Sequence, residues 1–210
     1  MNAQNDKTGD GGVRCSAVLG HKTYDTKNNH PPPVRRPGLG NDALRPKGEG
    51  HAVHALLFDY RQRHKQELLW AKTHAQRCGV LYTTMDLPEL GGLTEQSWIV
   101  PNRNAVFLSV AVNVACKAGA DTVTIGCNAE DAEYFPDCRK AFLDAMNAAV
   151  RAAGYAVEIC APYLDKPKAW IGGMAQQMGV RPNEIWTCYK GGAEPCGKCP
   201  ACKKLKLAMK

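Results

Sequence analysis

The sequence contains no apolar run near the roughly 18 residues that a membrane-spanning helix requires. Its N-terminus also lacks the apolar core of a secretory signal. No internal repeat and no coiled-coil heptad occur. The 210 residues are 44% hydrophobic and 22% charged, a balance typical of one globular domain with a buried core. We therefore expect no membrane partner.

Cysteine is in excess: the chain has ten, and four of them lie within residues 188–202. Clustered cysteines in a chain without a secretory leader favour reduced thiols and metal binding over disulfides, so we expect a cytoplasmic protein. Free thiols or disulfides are the alternative. We interpret five of the other cysteines as small buried apolar residues or bystanders: Cys15, Cys78, Cys116, Cys127 and Cys160.

The clustered cysteines have the spacing Cys-x7-Cys-x2-Cys-x2-Cys. Four thiolates close a tetrahedral shell around zinc at about 2.3 Å per bond and leave no position open, so the predicted zinc is structural. Gly197 eases the turn that aims successive sulfurs at one point. The predicted zinc ligands are Cys188, Cys196, Cys199 and Cys202.

The formal net charge of +7 invites a nucleic-acid interpretation, and six lysines lie from residue 190 to the C-terminus. Four thiolates with one zinc ion would lower the charge of this tail by two. No aromatic residues interleave with these lysines to stack on bases. We therefore expect no direct contact with nucleic acid.

The composition changes near residue 50. Residues 1–50 hold eight of the 20 glycines and five of the 13 prolines, and no helical or alternating apolar pattern persists there, so we expect coil or disorder. From His51 onward, short apolar runs alternate with helical spacing. The predicted strands are 51–58, 80–85, 122–125 and 156–160, and the predicted helices are 63–78, 104–118, 136–153 and 166–178.

This alternation predicts an α/β fold: a Rossmann-like parallel sheet with helices on both faces, followed by a C-terminal zinc-binding segment at 188–202. We assign residues 51–210 to this domain. Ligands of such sheets bind beyond the carboxyl ends of the strands, which places residues 59–64 and 126–139 at the mouth of a site.

Three polar segments interrupt the apolar elements, at 58–64, 100–104 and 126–139. Their arginines suit anionic groups, and their carboxylates suit cations or the N–H groups of a heterocycle. The residues are Arg61, Arg63, Arg103, Arg139, Asp131 and Asp137. The alternative is that they are helix caps and solvated loop charges.

These segments carry a resemblance to a known family. They read FDYRQRH from Phe58, VPNRN from Val100, GCNAEDAEYFPDCR from Gly126 and WTCYKGGAEPCGKCPAC from Trp186. In the same order, the 7-cyano-7-deazaguanine synthase family has FDYGQRH, VPxRN, GxNxxDxxxYPDCR and the spaced cysteines. Residues 51–210 resemble this family.

The resemblance implies a fold similar to the PP-loop ATP pyrophosphatases, which is adenine nucleotide alpha hydrolase-like, with a five-stranded parallel sheet. It implies an ATP-dependent C–N ligase that converts 7-carboxy-7-deazaguanine and ammonia to 7-cyano-7-deazaguanine in queuosine and deazapurine biosynthesis. The path runs through an adenylated carboxylate and an amide. The implied cofactors are structural zinc, and ATP with magnesium as substrate; a homodimer is also implied.

The predicted site follows from the matching positions. Arg103 and Arg139 are expected to contact phosphate or carboxylate, and Asp131 and Asp137 to hold magnesium or the guanine-like edge. Substrate and nucleotide binding is assigned to Asp59, Tyr60, Arg63, His64, Asn104 and Asn128. Lys166 and Lys168 either add charge near the site or are solvated, and Cys138 is expected to be a packed thiol.

The sequence departs from the family at two places. The phosphate loop Ser-Gly-Gly-x-Asp-Ser is missing, and Val34–Asp42 stands in its place, with Pro37 removing a backbone N–H. Residues 34–42 can be encoded by a set of codons that, when read one base later, encodes Ser-Gly-Gly-Leu-Asp-Ser-Ala-Thr. We therefore hypothesise that residues 1–50 are largely out of frame. Arg61 stands where the family has glycine, and it either reaches an anion or blocks the site.

Two other functions stay open. A chain without the phosphate loop fits a non-catalytic zinc-containing homologue that binds a deazapurine and lacks the ATP site. A relative that attaches a deazaguanine to another macromolecule is the third interpretation.

Overall fold

Five parallel strands form one sheet in the part of the chain that the structure describes. A computed structural model describes residues 14–19, 51–94 and 100–208, and the strand order in its sheet is β3-β2-β1-β4-β5. The strands are β1 (Arg14–Leu19), β2 (His51–Asp59), β3 (Leu81–Asp86), β4 (Thr122–Ile125) and β5 (Glu158–Cys160). The predicted α/β fold with a parallel sheet is confirmed.

Helices connect and cover these strands. They are α1 (Gln66–Arg77), α2 (Arg103–Ala118), α3 (Ala129–Tyr134), α4 (Lys140–Ala152), α5 (Lys168–Gln177) and α6 (Pro200–Ala208). Short 3₁₀ turns occupy Pro88–Thr94, Pro136–Cys138 and Pro182–Glu184. The β2-α1-β3 and β4-α4-β5 crossovers run in opposite directions across the sheet, so right-handed connections put α1 and α4 on opposite faces. None of the described helices is both long and apolar enough to cross a membrane.

Strand β2 carries apolar side chains on both of its faces. Ala55, Leu56, Leu57 and Phe58 are all buried, which is the pattern of a parallel strand covered by helices on both sides. The Phe58 ring stacks on the Phe107 ring of α2, with centroids 4.2 Å apart and the planes 8° from parallel. This contact fixes the first turns of α2 against the carboxyl end of β2, where the predicted site begins.

Strand β1 differs from the sequence-based expectation. We expected no regular element before residue 50, but Arg14–Leu19 pairs in parallel with both β2 and β4 and lies at the centre of the sheet. The physical reason is that β2 and β4 each have an edge that needs a hydrogen-bonding partner, and the short apolar run Ala17–Leu19 suits that position. The rest of residues 1–50, with Val34–Asp42, lies outside the described residues, so the out-of-frame interpretation stays a prediction.

The predicted elements after residue 50 are present with small shifts at their ends. The largest shift is at α4, which was expected from residue 136 but begins at Lys140. Arg139 has extended backbone angles (φ −90°, ψ 155°), so the chain makes a separate 3₁₀ turn at Pro136–Cys138 before the helix starts. Helix α2 ends at Ala118, and the following Gly119, with a φ of 70°, forms the left-handed C-cap that glycine favours.

Candidate functional site

A cavity of about 710 Å³ opens beyond the carboxyl end of β4. Its walls come from the ends of β4 and α2, the segment around α3, helix α5 and the cysteine-rich tail with α6. Many of the lining side chains are polar or charged, including His64, Glu67, Asn102, Arg103, Asn104, Asn128, Asp131, Asp137, Lys168 and Lys204. The position agrees with the general rule that ligands of open parallel sheets bind outside the carboxyl ends of strands.

Asn104 joins two of the three polar segments. Its backbone N–H donates to Asp137 Oδ2 at 3.4 Å, and its Nδ2 donates to the Asp137 carbonyl at 3.2 Å and to Cys138 Sγ at 3.4 Å. Asn104 is only 7% exposed, so these bonds replace water that it would otherwise bind. Asp137 therefore supplies the acceptor at the start of α2, where the side chain of Asn102 makes no cap.

Arg103 lies in an aromatic corner beside the cavity. Its Nη1 donates to the Tyr60 hydroxyl at 2.9 Å, and its guanidinium carbon lies 5.7 Å and 5.8 Å from the ring centroids of Tyr60 and Phe107. Burial raises the pKa of the Tyr60 phenol. Among the described residues, Arg103 Nε is buried and has no hydrogen-bond partner. A partly buried cation with an unused donor is suited to an anionic ligand.

Asn128, Asp131 and Lys168 form a second polar group on the cavity wall. Asn128 caps α3 by accepting a hydrogen bond from the Asp131 N–H at 3.1 Å, and its Nδ2 also donates to Asp131 Oδ2. Asp131 Oδ1 accepts a hydrogen bond from Lys168 Nζ at 2.6 Å. The sequence left Lys168 undecided between a role near the site and solvation, and the structure places it in the cavity wall.

His64 also lines the cavity. It lies 3.3 Å from Glu67 Oε1 and 3.5 Å from the Tyr60 hydroxyl, measured from its Nε2. Of the neighbouring predicted residues, Asp59 does not line the cavity, and its Oδ1 accepts a hydrogen bond from the Arg61 N–H at 3.0 Å. Arg63 lines a separate, more open hollow next to Gly191.

Arg61 is one of the two departures from the family pattern. Its φ is 62°, a left-handed conformation that suits glycine better than arginine. Its Nη2 donates to Asp86 Oδ2 at 2.9 Å, so it contacts a carboxylate of the protein itself. Arg61 does not line this cavity; it lines the separate hollow that Arg63 also lines, and its role at the site stays a prediction.

Arg139 lies away from the cavity lining. Its Nε donates to the Ala132 carbonyl at 2.9 Å and its Nη2 to the Glu133 carbonyl at 3.4 Å, so it satisfies the carbonyl groups at the end of α3. The side chain is exposed. The predicted contact between Arg139 and phosphate or carboxylate stays a prediction. In this structure the guanidinium group bonds backbone carbonyls of α3 instead.

The predicted site residues therefore separate into two groups. Six of them line one cavity: His64, Arg103, Asn104, Asn128, Asp131 and Asp137. Tyr60 joins them indirectly, through its bond to Arg103. Asp59, Arg63 and Arg139 lie outside the cavity lining.

The four clustered cysteines converge as their spacing predicts. Their Sγ atoms all lie within 4.8 Å of one another, and all four thiols are free. A tetrahedral shell with bonds of about 2.3 Å has sulfur–sulfur edges of about 3.8 Å, so a small contraction would enclose one zinc ion. The backbone N–H groups of Lys198 and Cys199 lower the pKa of the Cys196 thiol to about 6, which favours the thiolate that a metal requires. The residues thus fit a closed metal site.

The tail that carries these cysteines also forms a cavity wall, which the sequence did not predict. Trp186, Thr187 and Tyr189 line the cavity on either side of Cys188. The Trp186 indole N–H donates to the Cys188 carbonyl at 3.0 Å, so the ring orientation depends on the metal-ligand segment. The only sequence signal was the presence of two aromatic residues beside a predicted ligand. A metal in the cluster would therefore hold part of the cavity in place.

Comparison with known proteins adds a family match. The family model of the queuosine biosynthesis protein QueC matches residues 43–99 and 94–210. The chain is similar to 7-cyano-7-deazaguanine synthase of Pseudoalteromonas atlantica, with 38% identity over 178 residues that cover 74% of this chain and 81% of the relative. It is also similar to the synthase of Caldicellulosiruptor bescii, with 35% identity over 185 residues that cover 78% and 84% of the two chains.

Solved structures are similar to this chain as well. The U34-tRNA thiolase NcsA from Methanococcus maripaludis with its 4Fe–4S cluster aligns with a TM-score of 0.47 and 12% identity, covering 77% of this chain and 56% of that chain.

Proposed function

The chain belongs to the queuosine biosynthesis protein QueC family, and from this membership we propose that its cavity serves an ATP-dependent 7-cyano-7-deazaguanine synthase. Membership supports a queuosine-pathway function and an enzyme of the synthase type. The finer proposal is that 7-carboxy-7-deazaguanine and ammonia are the substrates and that 7-cyano-7-deazaguanine is the product.

The proposed chemistry uses two activations. The substrate carboxylate attacks the α-phosphorus of ATP, pyrophosphate leaves, and ammonia then displaces AMP to give the amide. A second ATP activates the amide oxygen in the same way, and loss of AMP and protons leaves the nitrile. No oxidant or reductant is needed. A carboxylate is a poor electrophile until its oxygen leaves as AMP, so the site must hold both reactants in line.

One observation carries this proposal: residues from three separate polar segments line a single cavity at the end of the sheet. Arg103 offers an unpartnered buried donor for an anionic group. The polar side chains of Asn128, Asp131 and Asp137 supply the hydrogen-bonding groups that a guanine-like edge or a magnesium-bound phosphate requires.

Zinc is proposed as the metal of the cysteine cluster, held by Cys188, Cys196, Cys199 and Cys202. Four thiolates leave no position for a substrate, so the ion would contribute folding energy and no reaction chemistry. The tail around it would then keep Trp186 in the cavity wall.

A second function is favoured by the missing phosphate loop. The family match begins at residue 43, and residues 34–42 do not contain Ser-Gly-Gly-x-Asp-Ser. We propose that the 210-residue chain binds ATP poorly, because the loop that would hold the pyrophosphate is replaced. In this form the protein would be a deazapurine-binding homologue that does not complete the reaction.

Two forms of the protein test both functions together. One is the 210-residue chain, and the other is a variant in which residues 31–50 are encoded in the frame shifted by one base. Both are incubated with 7-carboxy-7-deazaguanine, ATP, magnesium and ammonia, and the nitrile is measured by mass spectrometry. Binding of the acid is measured in parallel by calorimetry. We expect both forms to bind the acid and only the frame-restored form to make the nitrile, with two AMP for each product.

The other outcomes are decisive. Robust turnover by the 210-residue chain would overturn the conclusion about the loop. Binding without turnover in both forms would favour the non-catalytic homologue. Absence of acid binding in both forms would overturn the proposed function itself.

A further inference from the structure

Helices α3 and α5 meet at a rigid corner on the cavity wall. The backbone N–H of Lys168 donates to both carboxylate oxygens of Glu130, at 3.0 and 2.9 Å. The Ala129 N–H donates to the Lys166 carbonyl at 3.1 Å. These bonds fix the main chain of Lys168 without using its side chain, so a change of the side chain leaves the corner intact.

The ammonium group of Lys168 lies in the cavity wall beside Asp131. The Nζ atom is 2.6 Å from Asp131 Oδ1, and the Lys168 and Asp131 side chains are only 23% and 27% exposed. An ammonium group has three donors, and the bond to Asp131 occupies one of them. Asp131 is itself held by Asn128. Lys168 is therefore a partly desolvated cation. Asp131 holds its ammonium group, and Glu130 holds its backbone N–H.

The other two lysine and arginine side chains of the cavity lining lie against aromatic rings. Arg103 bonds the Tyr60 hydroxyl and lies over two rings. Lys204 Nζ lies 4.8 Å from the centroid of the Tyr134 ring. Lys168 differs from both because its partner is a carboxylate on the same wall. A bound carboxylate can therefore share this ammonium group alongside Asp131.

We propose that Lys168 binds the carboxylate of the substrate acid, an inference that rests on the proposed function. The contact would orient the reacting oxygen before activation, and the charge of Lys168 would offset the added negative charge beside Asp131. The nitrile product has lost the carboxylate and makes no ion pair. Lys168 would thus favour the acid over the product and assist product release.

The test compares the acid with the neutral nitrile. Affinities for 7-carboxy-7-deazaguanine and 7-cyano-7-deazaguanine are measured by calorimetry on the full chain and on Lys168→Met. A charge-assisted contact predicts a loss of about ten-fold or more for the acid, and less than about two-fold for the nitrile. Lys168→Arg keeps the charge and should retain most of the acid binding. The matched control is Lys166→Met, because Lys166 pairs with Asp165 and does not line the cavity.

The charge of Asp131 needs its own control, because Lys168→Met leaves that carboxylate without its lysine. The comparison is therefore repeated in an Asp131→Asn background, where the selective loss of acid binding should persist. An equal loss of both ligands, no loss, or a loss that disappears in the Asp131→Asn background would overturn the role of Lys168. If the unchanged chain binds neither compound, the proposed function fails first and this inference fails with it. Unfolding curves of each variant separate these results from misfolding.

Discussion

Arg77 and Glu184 form a paired contact between residues that are 107 positions apart in the chain. Arg77 Nη1 and Nη2 donate to Glu184 Oε2 and Oε1 at 3.1 and 2.9 Å. Arg181 donates to the same carboxylate through its Nε at 3.1 Å, through its Nη2 at 2.8 Å and through its backbone N–H at 2.9 Å. Glu184 is only 2% exposed. The contact therefore ties α1 to the segment that leads into the cysteine cluster.

Glu184→Gln should lower the Tm at pH 7, because it leaves two arginines facing a neutral amide. The Arg77 and Arg181 guanidinium groups hold the pKa of the Glu184 carboxyl well below its usual range. A carboxyl with a depressed folded-state pKa stabilises the fold fully above its unfolded pKa of about 4.3, and the stabilisation is lost as the pH falls below that value. Thermal unfolding from pH 7 to pH 3 should show the gap between variant and parent narrowing on acidification.

The control for this variant is Asp144→Asn. Asp144 is exposed and pairs with Lys140 one helical turn away, a surface contact worth less than about 0.5 kcal/mol. A gap between Glu184→Gln and the parent that stays constant with pH would contradict the assigned role of the Glu184 charge.

Cys202→Ala should remove metal from the cysteine cluster. We expect one zinc per chain in the parent and less than about a tenth of that in the variant, measured by mass spectrometry of the metal, since three thiolates leave the shell open. The Tm should fall by at least about 5 °C, because each lost kcal/mol shifts a domain of this size by about 2–4 °C. Cys78→Ala is the control, since Cys78 is exposed and outside the cluster. A parent chain that contains no zinc would contradict the assignment of zinc to the cysteine cluster.

Leu108→Ala should test the packing between α2 and the sheet. Leu108 is 0% exposed, and its truncation leaves a cavity, so the free energy of unfolding should fall by about 2–5 kcal/mol in denaturant titrations. Leu207→Ala is the comparison, because Leu207 is 68% exposed and its truncation should cost less than about 0.5 kcal/mol. Similar losses for both leucines would mean that the described core is misplaced.

The two arginines that the sequence assigned to anion binding should behave differently. Arg103→Met should weaken binding of 7-carboxy-7-deazaguanine about ten-fold or more, because it removes the buried donor beside the cavity. Arg139→Met should change that affinity less than about two-fold, because its guanidinium bonds the Ala132 and Glu133 carbonyls. Calorimetry on both variants measures these two affinities. Equal losses would support the assignment of Arg139 to anion binding.

The sheet after residue 50 was predictable because its strands are short apolar runs flanked by polar turns. Leu56 and Phe58 lie in such a run, and their burial on both faces of the sheet is what the run predicts. Strand β1 was not predicted because its apolar run is three residues long and lies among glycines. Helix α3 was missed for another reason: its six residues include no buried side chain, so no amphipathic period exists to be read.

The candidate site was predictable only in part. Motif residues such as Asn104 and Asp137 meet because α2 packs against β4 and against the 3₁₀ turn Pro136–Cys138 that follows β4. The contributions of Trp186 and Tyr189 depend on the tail folding back over the cavity, which no local pattern encodes. The place of Arg139 depends on the extended backbone at that residue, which lets its guanidinium reach the end of α3.

The most direct test of the account is a calorimetric titration of the 210-residue chain with 7-carboxy-7-deazaguanine in the absence of ATP. The cavity described above predicts saturable binding with one molecule per chain, weakened by Arg103→Met. A chain that carries zinc and unfolds cooperatively, yet shows no binding heat at millimolar ligand, would contradict the assignment of this cavity.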